Sequence, residues 1–155
     1  MRRSRDEVMT VLETVLDPEV PVLNVVEMGI VRDVEFADDT TCVVITPTYS
    51  GCPAMKVIED GIVAALEKAG VDRPTTRTVL APPWTTEWMT DEAREKLRKY
   101  GIAPPTKAAA LADGLPCPFC SSAKTELRSS FGSTACKALF YCTDCRQPFE
   151  HFKCV

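Results

Sequence analysis

The chain has 155 residues, 45% of them hydrophobic and 26% charged, which is the composition of a folded globular protein and excludes a disordered chain. Eighteen Lys and Arg face 22 Asp and Glu, a net charge of -4, which argues against a protein that coats nucleic acid. No apolar run approaches a membrane span, and the basic start Met1-Arg2-Arg3-Ser4-Arg5 is followed by no apolar export segment. A cytoplasmic protein of one medium or two small domains is therefore expected.

The first helix is marked by Ser4-Arg5-Asp6-Glu7, which has capping-box spacing, and by Val8, Val11, Leu12, Val15 and Leu16 on one face. Asp17-Pro18 should end it. Asp17-Pro18-Glu19-Val20-Pro21 then holds two carboxylates in a rigid turn. They are suited to ligating metal or moving a proton, or they simply terminate the helix and face water. Ile30 to Phe36 reads as a strand, Asp38-Asp39 as a turn, and Thr41 to Thr46 as a second, more buried strand. Together they predict a hairpin.

Thr46-Pro47-Thr48-Tyr49-Ser50-Gly51-Cys52-Pro53 is a loop by composition. Pro53 suits the first position of a helix that continues through Val57, Ile58, Ile62 and Leu66 and stops at Gly70. Cys52 would then be the N-cap, where backbone N–H groups and the helix dipole favour an anion, and hence a nucleophilic, metal-binding thiolate. Thr46, Thr48, Tyr49 and Ser50 supply hydroxyl donors around it. The plainer alternative is a small residue packed under a loop. A third strand is expected over Thr75–Leu80. A short helix should follow from Thr90-Asp91-Glu92, with Lys96, Arg98 and Lys99 in its last turn and Gly101 after it. The order α-β-β-α-β-α predicts an α+β fold, a small α/β sandwich.

Cysteine usage splits the chain. Of eight cysteines, only Cys42 and Cys52 precede residue 114. The stretch 103–114, with Pro104, Pro105 and Gly114, reads as a linker between a first domain, 1–102, and a second, 115–155. The second carries five basic and three acidic residues, so it is +2 and the remainder -6. Cys117-Pro118-Phe119-Cys120 and Cys142-Thr143-Asp144-Cys145 are C-x2-C knuckles 21 residues apart, with β-rich sequence at Thr125–Ser129 and Ala138–Tyr141. That is a β-rich zinc ribbon: Cys117, Cys120, Cys142 and Cys145 close a tetrahedral site. So short a segment needs the metal to fold. Two disulfides are the alternative, which a reducing compartment opposes. The ligand set favours zinc and leaves iron open. With no open coordination position, the site reads as structural. Cys136, His151 and Cys154 are left over.

Asp17-Pro18-Glu19-Val20-Pro21 and Asn24-Val25-Val26-Glu27-Met28-Gly29-Ile30-Val31, with the loop ending in Cys52-Pro53, resemble the small SufT-like iron–sulfur assembly factors over about residues 5–83. Pro82-Pro83-Trp84-Thr85-Thr86-Glu87-Trp88-Met89, Gly101-Ile102-Ala103-Pro104-Pro105 and Ser130 to Leu139 resemble the D/J subunits encoded with the bacterial phenylacetyl-CoA epoxidase. The resemblance implies phenylacetate catabolism, and an oxygenase accessory subunit that assists iron or iron–sulfur cluster insertion. Partners would be epoxidase components, the reductase with its iron–sulfur centre and flavin or the di-iron subunit. Cys52 would be the transient ligand for the cargo, supported by Asp17 and Glu19.

No catalytic residue is assigned. With one histidine, the sequence lacks the paired Glu-x-x-His motifs of a di-iron carboxylate site, and no histidine lies near Cys52 in the sequence. Two other readings stay open. One is a stoichiometric, non-catalytic subunit of the oxygenase. The other is an interaction module whose basic, aromatic tail docks protein rather than nucleic acid. A homodimer sharing one site is also open.

Overall fold

The computed structural model describes residues 3–49, 51–106 and 114–153. Most of the expected linker, Ser50 and Cys154 lie outside the described residues. Helix α1 spans Arg5–Leu12 and starts as expected. Ser4 Oγ accepts from the Glu7 N–H at 3.2 Å, and Glu7 returns a carboxylate oxygen to the Ser4 N–H at 2.7 Å. Val8 and Leu12 are fully buried.

The helix stops four residues before Leu16. Thr14 turns its hydroxyl onto the Val11 carbonyl at 2.7 Å, which competes with helix propagation. Residues 15–17 are drawn instead into an antiparallel pairing. The Val25 N–H donates to the Val15 carbonyl at 2.9 Å, and the Asp17 N–H to that of Leu23 at 2.8 Å. Leu16 leaves the apolar face and is 52% exposed.

Strands β1, Val31–Ala37, and β2, Thr40–Ile45, form the expected hairpin around Asp38-Asp39, with Asp38 at φ +49°. Helix α2, Met55–Lys68, crosses over to β3, Pro74–Thr78, which pairs parallel to β2. β2 is thus the centre of a three-stranded sheet, and Val43, Val44 and Ile45 are all buried. α2 buries Ile58, Ile62 and Leu66 at helical spacing, each contributing roughly 1.5–3 kcal/mol. Gly70, at φ +77°, closes the helix. Its N–H donates to Glu67 and that of Val71 to Leu66, both at 2.9 Å, which satisfies the last carbonyls.

Two compact units divide between Thr90 and Asp91. Helix α3, Asp91–Tyr100, therefore belongs with the ribbon unit, whereas the sequence reading put it with the first domain. Its Arg94 donates to the Pro105 carbonyl at 3.0 Å. The reason is the two-residue strand β4, Ile102–Ala103, directly after it. β4 joins the sheet β4-β7-β6-β5, formed with β5 (Thr125–Ser129), β6 (Lys137–Cys142) and β7 (Pro148–Phe152). β5 falls where the sequence placed it, and β6 extends the expected Ala138–Tyr141 run by one residue at each end. β4 and β7 were not foreseen. The core of this unit is Ala103, Leu115, Cys117, Cys142 and Phe149, with Phe140 stacked on Phe149 at 5.8 Å between ring centroids. The fold is α+β, a small sandwich and a β-rich cysteine ribbon.

Candidate functional site

The ribbon's two knuckles are built alike. In the first, the Ser121 N–H donates to the Cys117 carbonyl at 2.9 Å and the Phe119 N–H reaches the Cys117 sulfur at 3.4 Å. Each knuckle is closed by a residue at positive φ, Ser121 at +65° and Arg146 at +58°. This curl turns the side chains of Cys117, Cys120, Cys142 and Cys145 inward, with all four sulfurs within 4.8 Å of one another. The Cys117–Cys145 and Cys120–Cys142 separations are 3.7 and 3.6 Å, and all four thiols are free. Tetrahedral bonds of about 2.3 Å give a sulfur–sulfur edge of about 3.8 Å, so the four sulfurs fit a metal and not two disulfides. The backbone N–H of Cys145 beside its sulfur holds the Cys142 thiol down to about 7, whereas burial pushes Cys145 up to about 12. A bound dication would take all four as thiolates.

The acidic turn of the first unit is locked by its own carboxylate. Asp17, 5% exposed, accepts from the Glu19 N–H at 2.8 Å and the Val20 N–H at 3.2 Å. Glu19 is half-buried. One helical turn follows that sequence reasoning missed. Asn24 Oδ1 accepts from the N–H groups of Val26 and Glu27, and Glu27 returns a carboxylate oxygen to the Asn24 N–H at 2.8 Å. The Asn-x-x-Glu spacing was the available signal.

Gly29, at φ +77°, closes this turn, and the tryptophan segment lies on it. A Cβ at Gly29 would sit 2.6 Å from that of Trp88. The Trp84 indole donates to the Met28 carbonyl at 2.9 Å, and Arg32 stacks 3.5 Å over the Trp88 ring. Trp84 is thereby 3% exposed, a buried anchor rather than a surface patch.

Cys52 is half-buried and is not an N-cap. α2 begins at Met55 with Ala54 as its cap, so Cys52 lies two residues before the cap and Pro53 is outside the helix. The reason is a tight turn. The Cys52 N–H donates to the Tyr49 carbonyl at 3.3 Å, and the Cys52 carbonyl accepts from Met55 at 3.2 Å. At the start of this loop Thr46 is fully buried, with its N–H on the Ile30 carbonyl at 2.9 Å. Among the described residues, only the four ribbon sulfurs converge as a group of three or more metal-ligating side chains, and Asp17, Glu19 and Cys52 do not form one.

The remaining residues of interest lie in the ribbon unit. His151 is 6% exposed, donates to the Pro104 carbonyl and has no partner at Nε2; burial holds its imidazole below the usual pKa. The Cys136 sulfur lies 3.0 Å from the Thr134 hydroxyl. The Ser130–Leu139 segment wraps the Glu150 carboxylate, which accepts from the Ser133 N–H at 2.7 Å and from its hydroxyl at 2.8 and 3.0 Å. Lys137, 4% exposed, donates to the same hydroxyl at 3.2 Å. Gly132 lets the Glu150 carboxylate lie close against the backbone, where a Cβ would meet its oxygen.

The two halves match two families. Residues 5–73 match iron–sulfur cluster assembly proteins and residues 102–153 match the PaaD zinc beta ribbon domain. The class is thus an assembly-factor fold joined to a four-cysteine ribbon. The chain is 45% identical to the D-type component of the "Putative 1,2-phenylacetyl-CoA epoxidase" of Escherichia coli, over 96% of its own length and 92% of that protein's. It belongs to this family of D-type epoxidase components.

The front part alone is 35% identical to an Fe-S protein maturation auxiliary factor of Bacillus subtilis, covering 62% of this chain and 87% of that protein. Among solved structures, a domain of unknown function from Bacillus anthracis matches with a TM-score of 0.57 at 28% identity, covering 60% of this chain and 90% of that one. A conserved hypothetical protein from Thermotoga maritima matches with a TM-score of 0.53 at 33% identity, over 62% and 95%. Among the described residues, no helix is long and apolar enough to cross a membrane.

Proposed function

We propose that this protein is a maturation factor for a phenylacetyl-CoA-epoxidising oxygenase. Cys52 takes up iron or an iron–sulfur cluster and passes it to a partner component, the reductase or the di-iron subunit. The observation that carries this reading is the setting of Cys52: a half-exposed thiol on a loop at the carboxyl end of β2, outside the closed four-sulfur centre. A single accessible thiol binds a soft metal exchangeably, as transfer requires. Asp17 shapes the acidic turn through its two backbone hydrogen bonds, and Glu19 is the more exposed of its two carboxylates. The ribbon's sulfur spacing suits zinc, which Cys117, Cys120, Cys142 and Cys145 would hold. Zinc there supplies folding energy and no open position for chemistry.

Cys52→Ser tests the reading. Cells carrying it should lose epoxidase activity while the purified variant keeps its ribbon metal and fold. Full oxygenase activity in such cells would remove Cys52 from the function. A second reading, a stoichiometric non-catalytic component, is favoured by the name of the Escherichia coli relative, which counts it as part of the epoxidase. It requires that purified, already metallated partners still depend on equimolar amounts of this protein for turnover.

A further inference from the structure

Leu80-Ala81-Pro82-Pro83 is a run of four apolar residues in the first unit, and all four are exposed, Leu80 at 63%. A contiguous exposed apolar patch marks a surface that meets a partner. The run is nonetheless held at both ends. Just before it, the Val79 N–H donates to the Ile45 carbonyl at 2.9 Å. Just after it, Trp84 is buried with its indole on the Met28 carbonyl at 2.9 Å. The two prolines have a fixed φ and no N–H to satisfy, so the segment loses little freedom when it is covered.

These anchors place the run. Ile45 is the last residue of β2, the central strand, and pairs with Val31, the first of β1. Val79 reaches Ile45 from the β3 side, whereas Met28 precedes β1, so the run is pinned on both sides of the carboxyl end of β2. The loop that carries Cys52 leaves the sheet at that same end, starting with Thr46.

Charge decides what covers the run. Residues 1–90 hold eight Lys and Arg against 15 Asp and Glu, a net charge of -7. Arg3, Arg5, Lys56 and Arg77 are each already paired with a carboxylate. Two copies joined through this face would set -7 against -7, and an anionic lipid surface would be repelled as well. A protein with Lys and Arg around an apolar contact is attracted.

We propose that the 80–83 segment is the docking surface for the protein that receives cargo from Cys52, a partner presenting apolar side chains framed by basic ones. This rests on the reading of Cys52 as the cargo thiol. Docking beside the root of the Cys52 loop brings the recipient's ligands to the thiol, so the cargo passes between proteins without a free intermediate.

In the test, the full chain with its ribbon metal in place is titrated against the purified reductase and, separately, the purified di-iron component of the epoxidase. Melting temperatures and oligomeric state are measured alongside. The wild type should bind one component, more weakly as salt rises. Leu80→Asp should melt at the wild-type temperature and bind at least about tenfold more weakly, the effect of losing an interface anchor. Leu127→Asp, at a leucine of the ribbon that is 56% exposed, should bind as the wild type does. Binding to neither component overturns the inference. So does wild-type affinity in Leu80→Asp, an equal loss in Leu127→Asp, an affinity indifferent to salt, or a drop of several degrees in the melting temperature of Leu80→Asp. A wild-type dimer that Leu80→Asp dissociates overturns it too, because a second copy would then be the occupant. Cys52→Ser separates this inference from the reading beneath it and should bind like the wild type. If it does so and still supports full epoxidase activity in cells, the cargo reading alone falls and the docking surface stands.

Discussion

The ribbon cysteines and Cys52 are the same side chain in opposite settings. Four sulfurs in the ribbon are brought within 4.8 Å of each other by two tight knuckles, and Cys117 and Cys142 are buried. A metal there gains four bonds at once and has no vacancy through which to leave. Cys52 stands alone on a turn, half-exposed, with no convergent partners for a three-ligand site among the described residues. Under the proposed function, ligand number is what separates holding a metal from handing one on. Closure makes an ion part of the fold, and a single accessible thiol keeps it negotiable.

That contrast sets the expected effects. Cys142→Ser should be the most disruptive change. It removes a fully buried sulfur from the four, and metal binding supplies about 10–16 kcal/mol in small zinc domains. Loss of bound metal together with loss of dispersed amide signals from residues 115–153 checks it. A variant that keeps an ordered ribbon without metal would break the comparison.

Gly29→Ala comes next. The new methyl meets Trp88 Cβ at 2.6 Å in a backbone with φ +77°. Left-handed strain and overpacking together cost about 2–4 kcal/mol, readable in the urea midpoint. This sharpens the comparison, because it weakens the first unit without touching a cysteine.

A smaller effect comes from acid. Burial lowers the His151 pKa in the folded state, so the unfolded chain binds the extra proton first. Stability is therefore complete above the unfolded value of about 6.5 and falls as pH drops below it, by up to about 1.4 kcal/mol per pH unit. It levels off once the folded imidazole also protonates. His151→Asn, measured by urea unfolding between pH 7.5 and 5, should flatten that slope. The same slope in variant and wild type would place the acid sensitivity elsewhere.

The smallest effect on stability is expected of Cys52→Ser, within about 0.5 kcal/mol, because a half-exposed loop thiol carries little packing. A thermal unfolding curve displaced by many degrees would make Cys52 a structural cysteine and erase the distinction between the two settings.

Local chemistry was legible wherever cause and effect lie within a few residues. Ser4 and Glu7 announce a helix start, Gly70 a helix end, Asp38-Asp39 a hairpin, and each C-x2-C a knuckle, because the groups that satisfy one another are near neighbours in the chain. The four metal-binding cysteines could therefore be named from spacing alone. The cap of α2 was misplaced by two residues. Pro53 is compatible with the first helical position but does not compel it, and the Tyr49–Cys52 turn took precedence.

Other features were decided by contacts far apart in sequence. Leu16 has a helical apolar spacing, yet pairing with Asn24 draws it out of α1. Gly29 is demanded twice, by its φ of +77° and by Trp88, a residue far along the chain that lies on it. α3 sits in the ribbon unit because β4 joins β7. What the sequence alone determined is the set of elements and the metal-binding thiols, since these depend on spacing and capping. Which glycines are indispensable and where α1 stops depend on who packs against whom, and that is settled only when distant segments compete for the same backbone groups and the same space.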